Sequence, residues 1–178
     1  LSSQIHQCIA HHLIERLLKN SKTEGGAMLY QNVWQDEPQV HLAADRFLST
    51  LQHCIELGIS VVSASRQGIE LKLPYTSTIV GNIDDGVIHG GAIITLMDTA
   101  SGGSVLCCLP EVELCPTLDL RVDYLRSAQP QQPIYARATC FRVSQAIVFT
   151  RCEAFQKGSE EFIFSKINMV ANYYKPGP

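Results

Sequence analysis

Apolar positions along the first twenty residues repeat at helical spacing. Ile5, Ile9, Leu13, Leu17 and Leu18 share one stripe, so residues 5–19 are expected to form an amphipathic helix ending at Lys19 and Asn20. Residues 20–40 carry Gly25, Gly26 and Pro38 and read as a linker or irregular arm. Phe47, Leu48, Leu51, Cys54 and Ile55 then line one face of a second helix over about 43–57, closed by Gly58.

Beyond Gly58 the period changes. Ile59–Val62 is a short apolar strand, and Ile69, Leu71 and Leu73 alternate with Glu70 and Lys72 in a second strand that stops at Pro74. A third helix is expected from Gly91 to about Leu106. Ala92, Ile93, Ile94, Leu96, Met97, Ala100 and Val105 leave it almost no polar face, and such a helix must be surrounded by protein. Four strands follow. Leu118, Leu120, Val122 and Tyr124 alternate with Asp119, Arg121 and Asp123. Segments 134–143, 146–155 and 162–173 are rich in aromatic and β-branched residues, with turns at Ser144-Gln145 and Lys157-Gly158. One buried helix with an antiparallel meander predicts an α+β fold, the sheet wrapped round the helix. Residues 1–40 are expected to form an N-terminal helical extension and linker, and 41–178 the main domain.

Composition narrows the function. With 178 residues, 46% apolar and 17% charged, the chain buries a core and is not disordered. A net charge of −3 argues against a dedicated nucleic-acid binder. The charge is uneven, −6 over residues 1–115 and +3 over 116–178, which places the cations for a polyanionic small ligand in the C-terminal third. No apolar run approaches a membrane span, and residues 1–18 lack the basic start of a signal peptide. The seven cysteines (Cys8, Cys54, Cys107, Cys108, Cys115, Cys140 and Cys152) include no C-x-x-C spacing, and His89 is the last histidine, so no metal site is expected. They read as reduced, small apolar residues of a cytoplasmic protein.

The chemistry concentrates in residues 82–98. Gly90-Gly91 stands at a helix start, where bare glycines admit a ligand and the first N–H groups are unpaired donors for charge on a carbonyl oxygen. His89 directly precedes them, and orienting the loop suits it better than proton transfer. Asp98 lies mid-way along the most apolar helix. An unpaired buried carboxylate there costs several kcal/mol, so a functional role as general base or nucleophile is the better reading. Asp98 follows Gly91 by seven residues, on the same helix face but about 10 Å along the axis. A reacting carbonyl must lie about 3 Å from both its donor and its nucleophile or water. One chain does not readily provide both. An antiparallel second copy does, so an obligate dimer is expected, with two sites each combining the Gly91 N–H of one subunit and Asp98 of the other.

These residues resemble the PaaI-type hot-dog-fold acyl-CoA thioesterases over about 57–173. The resemblance rests on Leu57-Gly58-Ile59, Asn82, Gly86-Val87-Ile88-His89-Gly90-Gly91, Leu96-Met97-Asp98-Thr99-Ala100, Thr117-Leu118-Asp119 and Asp123-Tyr124-Leu125-Arg126. It implies a long helix wrapped by an antiparallel sheet that joins its partner's in a homodimer, often paired again into a tetramer. It also implies roles. Asn82 holds the water or thioester, His89 orders the loop, Gly91 polarises the carbonyl, and Asp98 of the facing subunit acts as base or nucleophile. Thr117 supplies a hydroxyl beside that carboxylate, and Gly90 lies against the substrate. Coenzyme A is part of the substrate, so no separate cofactor is implied. Its phosphates point first to Arg126, while Arg142 and Lys157 read as ordinary solvated charges. Relatives often carry Gly-Lys or Gly-Arg where this chain has Ser144-Gln145, which weakens a phosphate contact from that turn.

Two other readings stand beside hydrolysis. A non-catalytic acyl-CoA binding or sensing module would use the same fold, but has no need of Asp98, and residues 1–57 show no helix-turn-helix pattern. A hydratase or dehydratase would need a differently placed histidine and acid.

Overall fold

The computed structural model describes residues 37–110, 115–144, 147–158 and 162–172. The helix expected over 5–19 and most of the linker lie outside them, as do Gln145 of the first turn and residues 159–161 after the second. Helix α1 is Glu37–Thr50, the short α2 is Gln52–Glu56, and the long α3 is Gly90–Cys108. Strands are β1 Ser60–Ser65, β2 Gly68–Leu73, β3 Thr117–Tyr124, β4 Ile134–Val143, β5 Ile147–Gln156 and β6 Phe162–Asn172. They form one sheet in the order β1-β2-β4-β5-β6-β3, antiparallel throughout. The fold is the expected α+β hot-dog arrangement, with α3 lying across the concave face of the sheet.

The helices before the sheet differ from expectation. α1 begins at Glu37, six residues ahead of the predicted start, and takes in Pro38. A proline in a first helical turn lacks only an N–H that would be unpaired anyway. Val40 (1% exposed) and Ala44 belong to the core, so the last described residue of the segment read as linker already packs. The single helix expected over 43–57 is broken at Leu51, whose φ of −96° and ψ of 96° are extended. β1 runs to Ser65 rather than Val62, past a bulge between Val61 and Ser63. The four C-terminal strands lie within one residue of their predicted ends.

The core is the interface between α3 and the sheet. Leu96, Met97, Ala100 and Val105 of α3 meet Leu71, Leu73, Ile134, Ala136, Ala138 and Val148, all fully buried. Small residues permit the close seating: a Cβ on Gly103 would lie 3.1 Å from Ile69 Cδ1. Where β1 turns into β2, a Cβ on Gly68 would run into the Ala138 carbonyl oxygen of β4. Gly68→Ala is therefore expected to destabilise the fold by about 1–3 kcal/mol, read as a lower urea midpoint. An unchanged midpoint would mean that the strand end yields freely.

By length and composition α3 is apolar enough to cross a bilayer, against the expectation that no segment is. Just over half of it, 56%, is buried within the fold, which accounts for much of that composition. The expectation that protein surrounds it holds on one side only. Gly91, Ile94, Thr95, Asp98 and Gly102, at i, i+3, i+4, i+7 and i+11, stay partly exposed along one stripe.

The outer face of the sheet carries a row of alternating charge. Glu70, Arg137, Glu153, Lys166 and Asp123 are register partners across β2, β4, β5, β6 and β3. Glu70 is 8% exposed and is satisfied by Arg137 Nη2 at 3.0 Å and Lys157 Nζ at 2.7 Å. Lys166 Nζ lies 2.7 Å from Glu153.

Candidate active site

The loop into α3 is tied down by its backbone. His89 N–H donates to the Ile79 carbonyl and Gly81 N–H to that of Val87, each at 2.8 Å, and Val80 and Ile88 form an isolated bridge. Gly86 has a φ of +71°, a conformation that favours glycine, and its carbonyl accepts the Tyr75 hydroxyl at 2.8 Å. Gly81 must be bare because a Cβ there would come within 2.9 Å of His89 Cα.

His89 is the N-cap of α3, and its Nδ1 accepts the Gly91 N–H at 2.9 Å. That nitrogen therefore carries no proton. The expectation that Gly91 offers an open donor is corrected here: the imidazole already occupies it. The first amide of the helix, Gly90 N–H, has no acceptor among the described residues. The next peptide is held at both ends, because the Tyr124 hydroxyl donates to the Gly90 carbonyl at 3.3 Å. A Cβ on Gly90 would lie 3.1 Å from that hydroxyl oxygen. Burial pushes the Tyr124 phenol above its ordinary pKa. An N-cap role sorts substitutions at 89. His89→Ala is expected to lose about 0.5–2 kcal/mol of stability, while His89→Asn restores an acceptor and most of that loss. Equal thermal midpoints for the two variants would rule out the cap as the residue's contribution.

Asp98 lies on the partly exposed stripe of α3, and the Thr117 hydroxyl, at the start of β3, donates to its Oδ1 at 2.9 Å. The same hydroxyl oxygen lies 3.5 Å from Met169 Sδ. Among the described residues the carboxylate has no ion-pair partner. It is oriented by a neutral donor yet open toward solvent, the state a base or nucleophile requires. Its charge reaches the nearby Cys54 thiol, which is pushed up chiefly by burial and further by Asp98.

The other predicted residues divide. Asn82 heads the loop, but its Oδ1 accepts the Asp84 N–H at 3.1 Å and its carbonyl accepts the Gly86 N–H at 2.9 Å, so both oxygens build the turn. Arg126 is exposed two residues beyond Tyr124, its backbone N–H donating to the Phe164 carbonyl at 3.3 Å. Lys157 is engaged by Glu70 and lies 4.2 Å over the Tyr135 ring, and Arg142 lies 5.9 Å over Phe149. No group of three or more His, Cys, Asp or Glu among the described residues is placed to hold a metal. Sequence reasoning gave Tyr124 no role at the glycines. It sits in an alternating run with Leu118, Leu120 and Val122, which looks like core, yet it is 52% exposed.

Comparison with known proteins decides the family. Residues 85–163 match the thioesterase superfamily model, from the loop before His89 to the start of β6. The chain belongs to the thioesterase superfamily. Asn82 falls just ahead of the matched stretch, whereas every other predicted site residue lies within it. This superfamily member is 44% identical in sequence to a crystallised protein of Pseudomonas aeruginosa, with a TM-score of 0.68 over 75% of this chain and 98% of that one. It is 36% identical over 94 residues to a Halobacterium salinarum protein classed among esterases, and the match spans 51% of this chain but only 61% of that protein. It is also 27% identical over 130 residues to the medium/long-chain acyl-CoA thioesterase YigI of Escherichia coli, covering 66% of this chain and 83% of YigI.

Proposed function

We propose that the protein is a PaaI-type hydrolase of acyl-CoA thioesters, releasing free acid and CoA thiol in a site shared between two copies of the chain. The observation that carries this is Asp98, oriented by Thr117 and open on the uncovered stripe of α3, with an open Gly90 N–H at the start of the same helix. The two are eight residues apart, about 12 Å along the axis, beyond the reach of one thioester carbon. A second copy with its α3 antiparallel brings an Asp98 to each Gly90.

Two surfaces support such a partner. β3 ends the sheet, its outer edge unpaired among the described residues. On it Leu118 (58% exposed) and Tyr124 (52%) leave apolar surface uncovered. In the reaction the Gly90 amide stabilises negative charge on the thioester oxygen. Asp98 of the facing copy takes a proton from water as its oxygen adds to the carbonyl carbon, or attacks that carbon itself to give an acyl-aspartyl anhydride that water then opens. On either route the C–S bond breaks, and the CoA thiolate leaves and takes up the proton that water gave up. His89 and Tyr124 hold the peptides that aim the amide. Arg126, beyond the glycine loop, meets the CoA phosphates. The likeness to YigI supports an acyl-CoA substrate.

A panel of short, medium, long and aromatic acyl-CoAs tests the proposal through release of free thiol. Turnover of at least one class above the rate without protein is expected. Saturable binding with no thiol release from any member would select a binding or sensing module instead.

A further inference from the structure

The far end of α3 holds a cluster of sulfur that thioester hydrolysis does not use. Ser104 and Cys108, one turn apart, share a helix face, and Cys140 comes to it from β4. Cys140 Sγ lies 3.6 Å from Ser104 Oγ and shares a hydrogen bond with the Cys108 thiol. Cys108 and Cys140 are each only partly buried, whereas their neighbour Cys107 is 2% exposed.

We propose that Cys140 and Cys108 form a peroxide-reactive dithiol that closes reversibly into a disulfide between the last turn of α3 and β4. The Cys140 thiolate attacks one oxygen of hydrogen peroxide and the O–O bond breaks. The departing hydroxide takes up the proton that Cys140 had released and becomes water, leaving a sulfenic acid on Cys140. The Cys108 sulfur then attacks that sulfenic sulfur, the S–O bond breaks, and the leaving oxygen departs as a second water with the Cys108 proton. Two thiols give up two electrons and one peroxide accepts them.

The surroundings assign the order of attack. The hydrogen bond from Cys108 holds Cys140 below the ordinary thiol pKa against the opposing effect of burial. The same hydrogen bond, with burial, pushes Cys108 up. In this proposal Cys140 is the attacking sulfur and Cys108 the resolving one. Cys107 is pushed up to about 12, chiefly by burial, and stays inert.

The test uses the reduced full chain, treated with hydrogen peroxide, blocked with N-ethylmaleimide and digested with trypsin without reductant. The peptide of residues 138–142, which carries Cys140, is expected joined to the peptide of residues 73–121. The joined mass should vanish with dithiothreitol, persist in Cys107→Ser and Cys115→Ser, and be absent in Cys108→Ser. On a non-reducing gel the oxidised chain should run as a monomer. Recovery of the 138–142 peptide unlinked from oxidised wild type, a link that survives Cys108→Ser, or a link between two chains would each overturn the assignment.

Discussion

Asp98→Asn is expected to lower acyl-CoA hydrolysis by about 10²–10⁴-fold in kcat, close to the rate without protein. The amide keeps the size of the side chain and its carbonyl oxygen still accepts from Thr117, which donates to Asp98 at 2.9 Å. What it loses is the capacity to take a proton or to attack a carbonyl. Because Asp98 is partly exposed and has no ion-pair partner among the described residues, folding should scarcely notice the change. Turnover, thermal midpoint and oligomeric state are measured on one preparation. A variant with full activity, folded as before, would remove Asp98 from the chemistry.

The second large effect is at the helix start. Gly90→Pro deletes a single backbone donor where proline is otherwise well suited. Position 90 is the first residue of α3, and His89 before it has a φ of −64° and ψ of 132°, the extended conformation a following proline favours. The added Cβ asks the Tyr124 hydroxyl, 3.1 Å away, to give by a few tenths of an ångström. A loss of about 10²–10³-fold in kcat is expected, as for removal of an oxyanion donor elsewhere. The two variants also test the shared site together. Unfolded and refolded in equal amounts, Asp98→Asn and Gly90→Pro chains are expected to form mixed dimers in which one site is wholly native. Activity should return to about a quarter of wild type, from half the dimers each with one good site of two. Wild-type activity in Gly90→Pro alone would return the donor's role to another amide. A mixture as inactive as its components would place amide and carboxylate on the same chain.

Much of this was legible in the chain. The helix of α3 and the four strands after it announce themselves because their periods are strong and their turns short. The break at Leu51 did not, since the apolar stripe of α1 continues into α2 with no glycine or proline to mark it. At the glycines the limit is sharper. Gly90 and Gly91 carry the same signal in sequence, and which amide stays open depends on where the His89 ring turns. Thr117 was indicated only by resemblance, because nineteen residues of chain separate it from Asp98 and only the packing of β3 brings the hydroxyl to the carboxylate. Tyr124 was concealed by its own alternation: a period of two names a face of a strand without saying whether anything covers it.

The row of charges on the outer face bears on how the strands find their pairing. Sliding β5 by one residue against β4 would turn its apolar side chains to water, and the core forbids it. Sliding by two keeps every side chain on its proper face, so the core is indifferent. Electrostatics is not. Arg151 lies two residues from Glu153 on β5, and a two-residue slip in that direction sets it against Arg137, cation facing cation. The charges on this face thus act as a key for register, rejecting a misalignment that hydrophobic parity accepts.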